Sequence, residues 1–248
     1  MTTLSKFRVA PRQGHLDRVN HIFSYLARFK EGTIRFRTDA PDLSSLETYD
    51  YDWAKTVYGN VREDVPKDAP EPLGKCIHLT SYVDANLMHD LITGRLVTGI
   101  LHFLNKTPIE WYTKKQPSVS TATFGSEFMA ARTAVEQIME LRCTLRYLGV
   151  SVCGATYLFG DNQSVVQSSS LPHGKIHKRH VMLSFHRTRE AIAAGVVKFT
   201  HIYGKSNPAD ILSKAWGHQQ VWHLLRPILF WEGDMADLLE LENCEKDG

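Results

Sequence analysis

Apolar positions Leu16, Val19, Phe23, Leu26 and Phe29 recur at three- and four-residue steps, which predicts an amphipathic helix over residues 13–30 with Gly32 as its stop. From residue 40 the pattern breaks. Pro41, Pro66, Pro70 and Pro72 stand among acids, and the stretch from Glu63 to Gly74 reads as a linker. Beyond it, Ile77–Asp84, Arg95–Leu104 and Ile109–Thr113 read as strands, the last two joined by the turn-like Asn105–Lys106–Thr107–Pro108.

Residues 123–148 predict a long helix whose stripe is Ala131, Ala134, Ile138, Leu141, Leu145 and Leu148, ended by Gly149. Ala155–Phe159 reads as a short strand, Lys178–Ala194 as a helix and Val196–Tyr203 as a strand. Asn207–Pro208 should open a last helix with Pro at its first position. Val221, Leu224, Leu225 and Ile228 suit a short packing helix limited by Pro227. Asp234 to Gly248 reads as a mobile tail. Three consecutive strands, then a helix and alternating strands and helices, give an α/β class. The expected sheet is mixed and five-stranded, with three antiparallel strands and then parallel additions, flanked by helices, beside a separate N-terminal helix.

Composition narrows the class. With 43% apolar and 23% charged residues over 248 positions, the chain can build a sizeable core. No apolar run approaches the ~18 residues of a membrane span, and Met1 to Pro11 has no signal core. Cys76, Cys143, Cys153 and Cys244 lack C-x-x-C spacing, so neither a disulfide scaffold nor a cysteine zinc site is expected, and a reducing compartment is. A cytoplasmic or nuclear setting without membrane attachment follows as an expectation.

The net charge of +2 is unevenly spread. Residues 74–216 carry sixteen Lys/Arg against nine Asp/Glu, whereas 41–73 and 217–248 are each net acidic by five. A basic middle between acidic flanks points to an anionic partner, of which nucleic acid is the commonest. The densest basic run spans His173 to Arg189, with Lys175, Lys178, Arg179 and Arg187, and Lys114 and Lys115 add to it. The histidines there have no cysteine beside them, which argues against zinc.

Four of the nine acids stand at element ends. Asp84 ends the first strand, Asp161 follows Tyr157–Leu158–Phe159–Gly160, and Asp210 falls in the first turn of the last helix. Glu127 sits four residues before Ala131, in line with the buried stripe. Singly, each has a bland reading as a turn residue or a helix-dipole partner. Jointly, buried carboxylates repel unless a cation holds them, and an all-oxygen cage suits Mg²⁺.

The segment from Leu79 to Ala215 resembles the RNase H domain of copia-type retrotransposon polyproteins. Six motifs carry the likeness in the family's order: Tyr82–Val83–Asp84–Ala85, Ile109 to Pro117, Ser126–Glu127–Phe128–Met129–Ala130, Gly160–Asp161–Asn162–Gln163–Ser164, His180 to Glu190, and Asn207 to Lys214. The resemblance implies an RNase H-like fold over residues 75–216 and an acidic quartet of Asp84, Glu127, Asp161 and Asp210. It also implies two Mg²⁺ ions (replaceable by Mn²⁺) and hydrolysis of the RNA strand of an RNA–DNA hybrid. Asn162 and Gln163 would then face the hybrid, or cap the next helix.

Residues 1–40 are similar to the end of a reverse-transcriptase thumb, 41–74 would be an acidic linker, and 217–248 a packing helix and tail. A partner in the polymerase part of the same polyprotein, and a virus-like particle, are implied as well. Tyr49–Asp50–Tyr51–Asp52 has polymerase-like letters but no flanking strands. The family's pattern is altered at Gly125, where a helix start is weakened. Where cellular RNases H place a histidine, this chain has Gly204–Lys205–Ser206, which leaves the leaving-group proton unassigned. The rival reading is a decayed remnant that binds nucleic acid, or serves the polyprotein structurally, without cutting.

Overall fold

The computed structural model describes residues 4–30, 32–86, 96–116, 123–176, 181–214 and 216–230. Its centre is one mixed five-stranded sheet. The strands are β3 (Leu79–Asn86), β4 (Val97–Leu104), β5 (Thr107–Lys115), β7 (Thr156–Gly160) and β8 (Val197–His201), in the order β5-β4-β3-β7-β8. The β3–β4 and β4–β5 pairs are antiparallel, and β3–β7 and β7–β8 are parallel. This is the RNase H-like arrangement expected from the sequence.

The β4–β5 turn is tighter than the predicted tetrapeptide, because Thr107 and Pro108 already belong to β5. Asn105 takes the left-handed conformation at φ 52°, which Asn tolerates better than most residues, and its side-chain oxygen accepts from the His78 N–H at 2.9 Å. Pro108 has no N–H for a ladder, and β5 is an edge strand, where that is harmless.

Between the meander and the parallel strands runs α2 (Thr123–Tyr147). Its Phe128, Ala131, Ala134, Val135 and Ile138 are fully buried against the sheet. Leu148 does not join that stripe. It lies past the helix end and is exposed, with Gly149 at φ +70° closing the helix. The short strand β6 (Val150–Val152) follows and pairs in parallel with β2 (Leu73–Ile77). The strand predicted over Ile77–Asp84 corresponds to β3, while most of β2 and all of β6 were missed.

The same pair brings Cys76 and Cys153, 77 residues apart, into a disulfide. This corrects the expectation of no disulfide framework: spacing along the chain does not reveal a partner supplied by strand pairing.

Helices α3 (Gln163–Ser170) and α4 (Met182–Ala193) connect β7 to β8. On the opposite face of the sheet lie α5 (Asp210–Ser213) and α6 (His218–Leu225). The last predicted helix is therefore a single turn starting at Asp210, and Pro208 precedes it rather than occupying its first position. Near the N-terminus, α1 (Gln13–Arg28) forms as predicted but buries none of its residues among those described. A small ladder joins β1 (Thr33–Ile34) to β9 (Leu229–Phe230).

Residues 35–72 carry neither helix nor strand, yet they are anchored. Trp53 is buried in the core, Asp50 pairs with Lys198 at 3.0 Å, and Glu63 is held by Arg142 and Arg146 of α2. Arg189 of α4 lies 4.9 Å over the Trp53 ring and donates to the carbonyls of Ser168, Leu171 and Pro172. No described helix is long and apolar enough to cross a membrane. The predicted tail, Asp234 to Gly248, falls outside the described residues.

Candidate active site

Strand alternation sends Ser81 and Val83 toward α2 and leaves Tyr82 and Asp84 on the other face. On the α2 side, Ser81 Oγ meets His102 Nδ1 at 2.7 Å, and His102 Nε2 meets Gln137 Oε1 at 3.1 Å. Burial holds that imidazole neutral, with a pKa lowered to about 4, although the Gln137 oxygen accepting from Nε2 favours the charged form. On the other side Asp84, 2% exposed, meets the end of α5. The Ser213 hydroxyl donates to Asp84 Oδ2, and Lys214 Nζ stands 3.5 Å from Asp84 Oδ1.

Glycine makes this approach possible. Gly99 is the register partner of Asp84, and a Cβ there would lie 2.8 Å from the Ala209 carbonyl oxygen and 3.1 Å from the Ser213 nitrogen. Asn207 fixes α5 from the other end. Its Nδ2 donates to the Val83 carbonyl at 3.0 Å, and its Oδ1 accepts from the Ala209 N–H at 3.1 Å. Thr113 adds a bond to the Leu212 carbonyl, and Asn86 one to the Ser213 carbonyl.

Three carboxylates converge from three elements. Asp84 comes from β3, Glu127 from the start of α2 and Asp161 from the residue after β7, with one oxygen of each within 4.8 Å of the others. Glu127 is buried, and its pKa is raised well above the usual carboxylate range. Desolvation is the main cause, followed by the charges of Asp84 and Asp161; Lys214 and a backbone hydrogen bond from Ala85 oppose the rise. Burial, then Asp84, also raises Asp161.

Asp210 is not in this 4.8 Å grouping, although the charges of Asp84 and Asp161 reach it. Its Oδ1 is 2.5 Å from Lys214 Nζ, and its carbonyl accepts from Trp216 Nε1 at 3.2 Å. Burial raises its pKa, and the Lys214 bond works against that.

The trio fits a hard divalent cation. Its donors are all oxygen, and mutual repulsion of buried carboxylates is what a cation would relieve. All four predicted acids are thus at one end of the sheet's central strands, with three clustered and the fourth held by a lysine. The sequence reading assigned no role to Lys214, Ser213 or Gly99, and gave Asn207 only that of opening the last helix. The Asp210–Lys214 spacing of four was the available signal.

The predicted contact residues are more scattered. Asn162 caps α3, its Oδ1 accepting from the Val165 N–H at 3.2 Å, while Gln163 begins the helix exposed. Lys114 is exposed on β5 beside Thr98, and Lys115 follows, half-buried. Lys175 is exposed in the α3–α4 connection. Arg187 is engaged within the fold, 2.7 Å from Glu190 Oε2 and 3.3 Å from Met139 Sδ of α2. Lys178 and Arg179 lie outside the described residues. In the place of the expected histidine loop, Gly204–Ser206 forms a 3₁₀ turn. The nearby His201 Nε2 meets the Asp161 carbonyl at 3.1 Å.

No protein-family model matches this chain. Its sequence relatives are retrovirus-related Pol polyproteins. That of transposon TNT 1-94 of Nicotiana tabacum is 27% identical over 136 residues, 55% of this chain. That of transposon RE2 of Arabidopsis thaliana is 23% identical over 141 residues, 57% of this chain. The match spans about a tenth of the length of these relatives. Similar solved structures include RNases H. LC11-RNase H1, isolated from compost, is 16% identical with a TM-score of 0.44, over 55% of this chain and 92% of that one. RNase H1 of Halobacterium salinarum NRC-1 is 16% identical with a TM-score of 0.43, over 55% and 94%.

Proposed function

We propose that this chain, a relative of plant-transposon Pol polyproteins, is a retrotransposon ribonuclease H that hydrolyses the RNA strand of RNA–DNA hybrids. The observation that carries the reading is the meeting of Asp84, Glu127 and Asp161 within 4.8 Å at the end of β3 and β7. Two Mg²⁺ ions bound there would activate the attacking water and stabilise the charge that builds on the scissile phosphate.

The chain's own residues do the positioning. Asp84 is shared between the trio and the Asp210 side, and Ser213 fixes the rotamer of its carboxylate by donating to Oδ2. Glu127, pushed toward protonation without a cation, becomes an anionic ligand when one is present. Gly99 and Asn207 hold α5 close enough for Asp210 to face the same end. Exposed Lys114 and Lys175, with Gln163 at the start of α3, are the candidates for phosphate and 2′-hydroxyl contacts. In this reading residues 1–40 are the end of a polymerase thumb, and 41–74 tie it to the nuclease unit.

The test is cleavage of a labelled RNA–DNA hybrid by the purified chain in Mg²⁺ and in EDTA, with single-stranded RNA and duplex DNA as controls. Metal-dependent cutting of the hybrid alone is expected, and Asp84→Asn and Asp161→Asn should abolish it while leaving the circular dichroism unchanged. Cutting retained by either variant overturns the assignment. A folded chain that binds hybrid without cutting would be a decayed binding remnant instead.

A further inference from the structure

On the face of the sheet opposite α2, a cleft of about 380 Å³ opens between the strands and α6, a size within the range of small-molecule sites. None of Asp84, Glu127, Asp161 and Asp210 lines it, and no other acid does. On the sheet side, Tyr82 and Phe103 meet edge to face with ring centres 5.5 Å apart, and Tyr82 is backed by Phe159, stacked at 4.8 Å. Across from them stand Pro208, Leu224 and Ile228. An aromatic wall facing an aliphatic one suits a planar ring.

The rest of the lining is polar and positive. It includes Arg37, Lys106 and, from the 3₁₀ turn Gly204–Ser206, Lys205 and Ser206. Asp39, which does not line the cleft, pairs with both Arg37 and Lys106. Lys205 makes no ion pair among the described residues. The Thr80 and Tyr82 hydroxyls, which also line the cleft, make no hydrogen bond among them. Burial raises the pKa of the Tyr82 phenol, so its hydroxyl stays a neutral donor at physiological pH. The turn that carries Lys205 is fixed in place. The Ser206 N–H donates to the Tyr203 carbonyl at 2.8 Å, and His223 Nε2 of α6 donates to the Lys205 carbonyl at 2.9 Å.

A free ammonium beside unpaired hydroxyls matches an anion rich in acceptor oxygens. One ammonium and the hydroxyls of Thr80, Tyr82 and Ser206 suit the three terminal oxygens of a phosphate better than the two of a carboxylate. The adjoining aromatic wall calls for a ring attached to that phosphate. We propose that the cleft is a binding site for a planar ring bearing one phosphate, supplied as a free nucleoside monophosphate or as the phosphorylated end of a strand. The ring lies against Tyr82 and Phe103, the phosphate meets Lys205, and the hydroxyls donate to the ligand's oxygens. This site does not depend on the nuclease reading. A single turn separates it from the acid cluster, since a Cβ on Gly204 would stand 3.2 Å from Asp161 Oδ2.

The experiment is calorimetric titration of the full chain with adenosine monophosphate, adenosine and inorganic phosphate, in EDTA so that no metal occupies the acid cluster. The monophosphate should bind saturably. Adenosine and phosphate should each bind at least about tenfold more weakly, since each offers one half of the ligand. Lys205→Met, at an exposed position, should weaken the monophosphate at least about tenfold. Tyr82→Phe, which removes only the hydroxyl, should weaken it about threefold or more. A 5′-phosphorylated adenylyl dinucleotide distinguishes the sources: tighter binding than the monophosphate assigns a strand end, and equal or weaker binding a free nucleotide.

No saturable binding of the monophosphate at millimolar concentrations overturns the inference. So does adenosine or phosphate binding as tightly as the monophosphate, or binding unchanged in either variant. Circular dichroism checks that both variants are folded, and should Tyr82→Phe fail that check, Lys205→Met decides alone.

Discussion

Glu63 sits in the acidic segment whose sequence reads as a linker, yet it makes the densest set of ion pairs in the described structure. Its Oε1 accepts from Arg142 Nε at 2.7 Å and from Arg146 Nη1 at 2.7 Å. Its Oε2 accepts from Arg142 Nη2 at 2.8 Å and from Arg146 Nη2 at 2.6 Å. Burial alone would raise the carboxyl's pKa; the two guanidiniums outweigh it and bring the pKa down to about 2 from an ordinary 4.5.

A depressed carboxylate stabilises the fold above the unfolded pKa of 4.5, and the contribution disappears as pH falls toward 2. At 1.36 kcal/mol per pH unit the shift corresponds to about 3 kcal/mol at neutral pH, or ~2–3 kcal/mol because solvent still reaches the pair. Glu63→Gln leaves Arg142, whose side chain is 4% exposed, with only the Gly154 carbonyl and the Thr156 hydroxyl as firm acceptors.

Urea unfolding at pH 7 should show a loss of about 2–3 kcal/mol in Glu63→Gln. At pH 3 about two-fifths of that difference should remain, since the native carboxylate is still ionised there. Limited proteolysis should cut the variant faster between residues 54 and 72. A difference below about 0.5 kcal/mol at pH 7, or one that does not shrink at pH 3, would refute the reasoning.

Two further outcomes follow from the site. Gly99→Ala should destabilise the protein by about 1–3 kcal/mol and weaken Mg²⁺ binding, because the added methyl meets the immovable Ala209 carbonyl; urea unfolding and calorimetry check both. Glu127→Gln should raise the melting temperature in EDTA, by removing a buried like charge beside Asp84 and Asp161. It should also lose the Mg²⁺-induced rise that the wild type shows; a lower melting temperature in EDTA would contradict the repulsion argument.

The strands of the sheet were legible because each core element announces itself locally. β3, β4 and α2 have apolar runs of the right length and period, and Gly149 and Asn105 mark their ends. What was hidden depends on partners distant along the chain. β2 is short and mostly exposed and β6 short and half-buried, and they exist because they pair with each other, which also makes the Cys76–Cys153 bond. The acidic segment carries no periodicity, so nothing local shows that Trp53 fills the core or that Glu63 meets α2. In the site the acids were legible as charges misplaced for a fold. The local contacts of Arg187 were not legible, because a basic letter on a helix says nothing about whether its guanidinium meets, as here, Met139 and Glu190.

The order in which the site is assembled follows from where its supports lie. Asp84, Glu127 and Asp161 ride on β3, α2 and β7, elements locked by the core, so the trio is as rigid as the fold itself. Asp210 rides on a single helical turn that owes its place to a missing side chain at Gly99 and to the two hydrogen bonds of Asn207. A four-residue turn has little intrinsic helical stability, so the Asp210 side is the weaker half of the site and the half most open to adjustment. The Lys214 ammonium acts on that half. Its ion pairs with Asp210 and Asp84 tie the single turn of α5 to β3. Support is therefore strongest under the trio, and the Asp210 side is the half that a change in local contacts would move first.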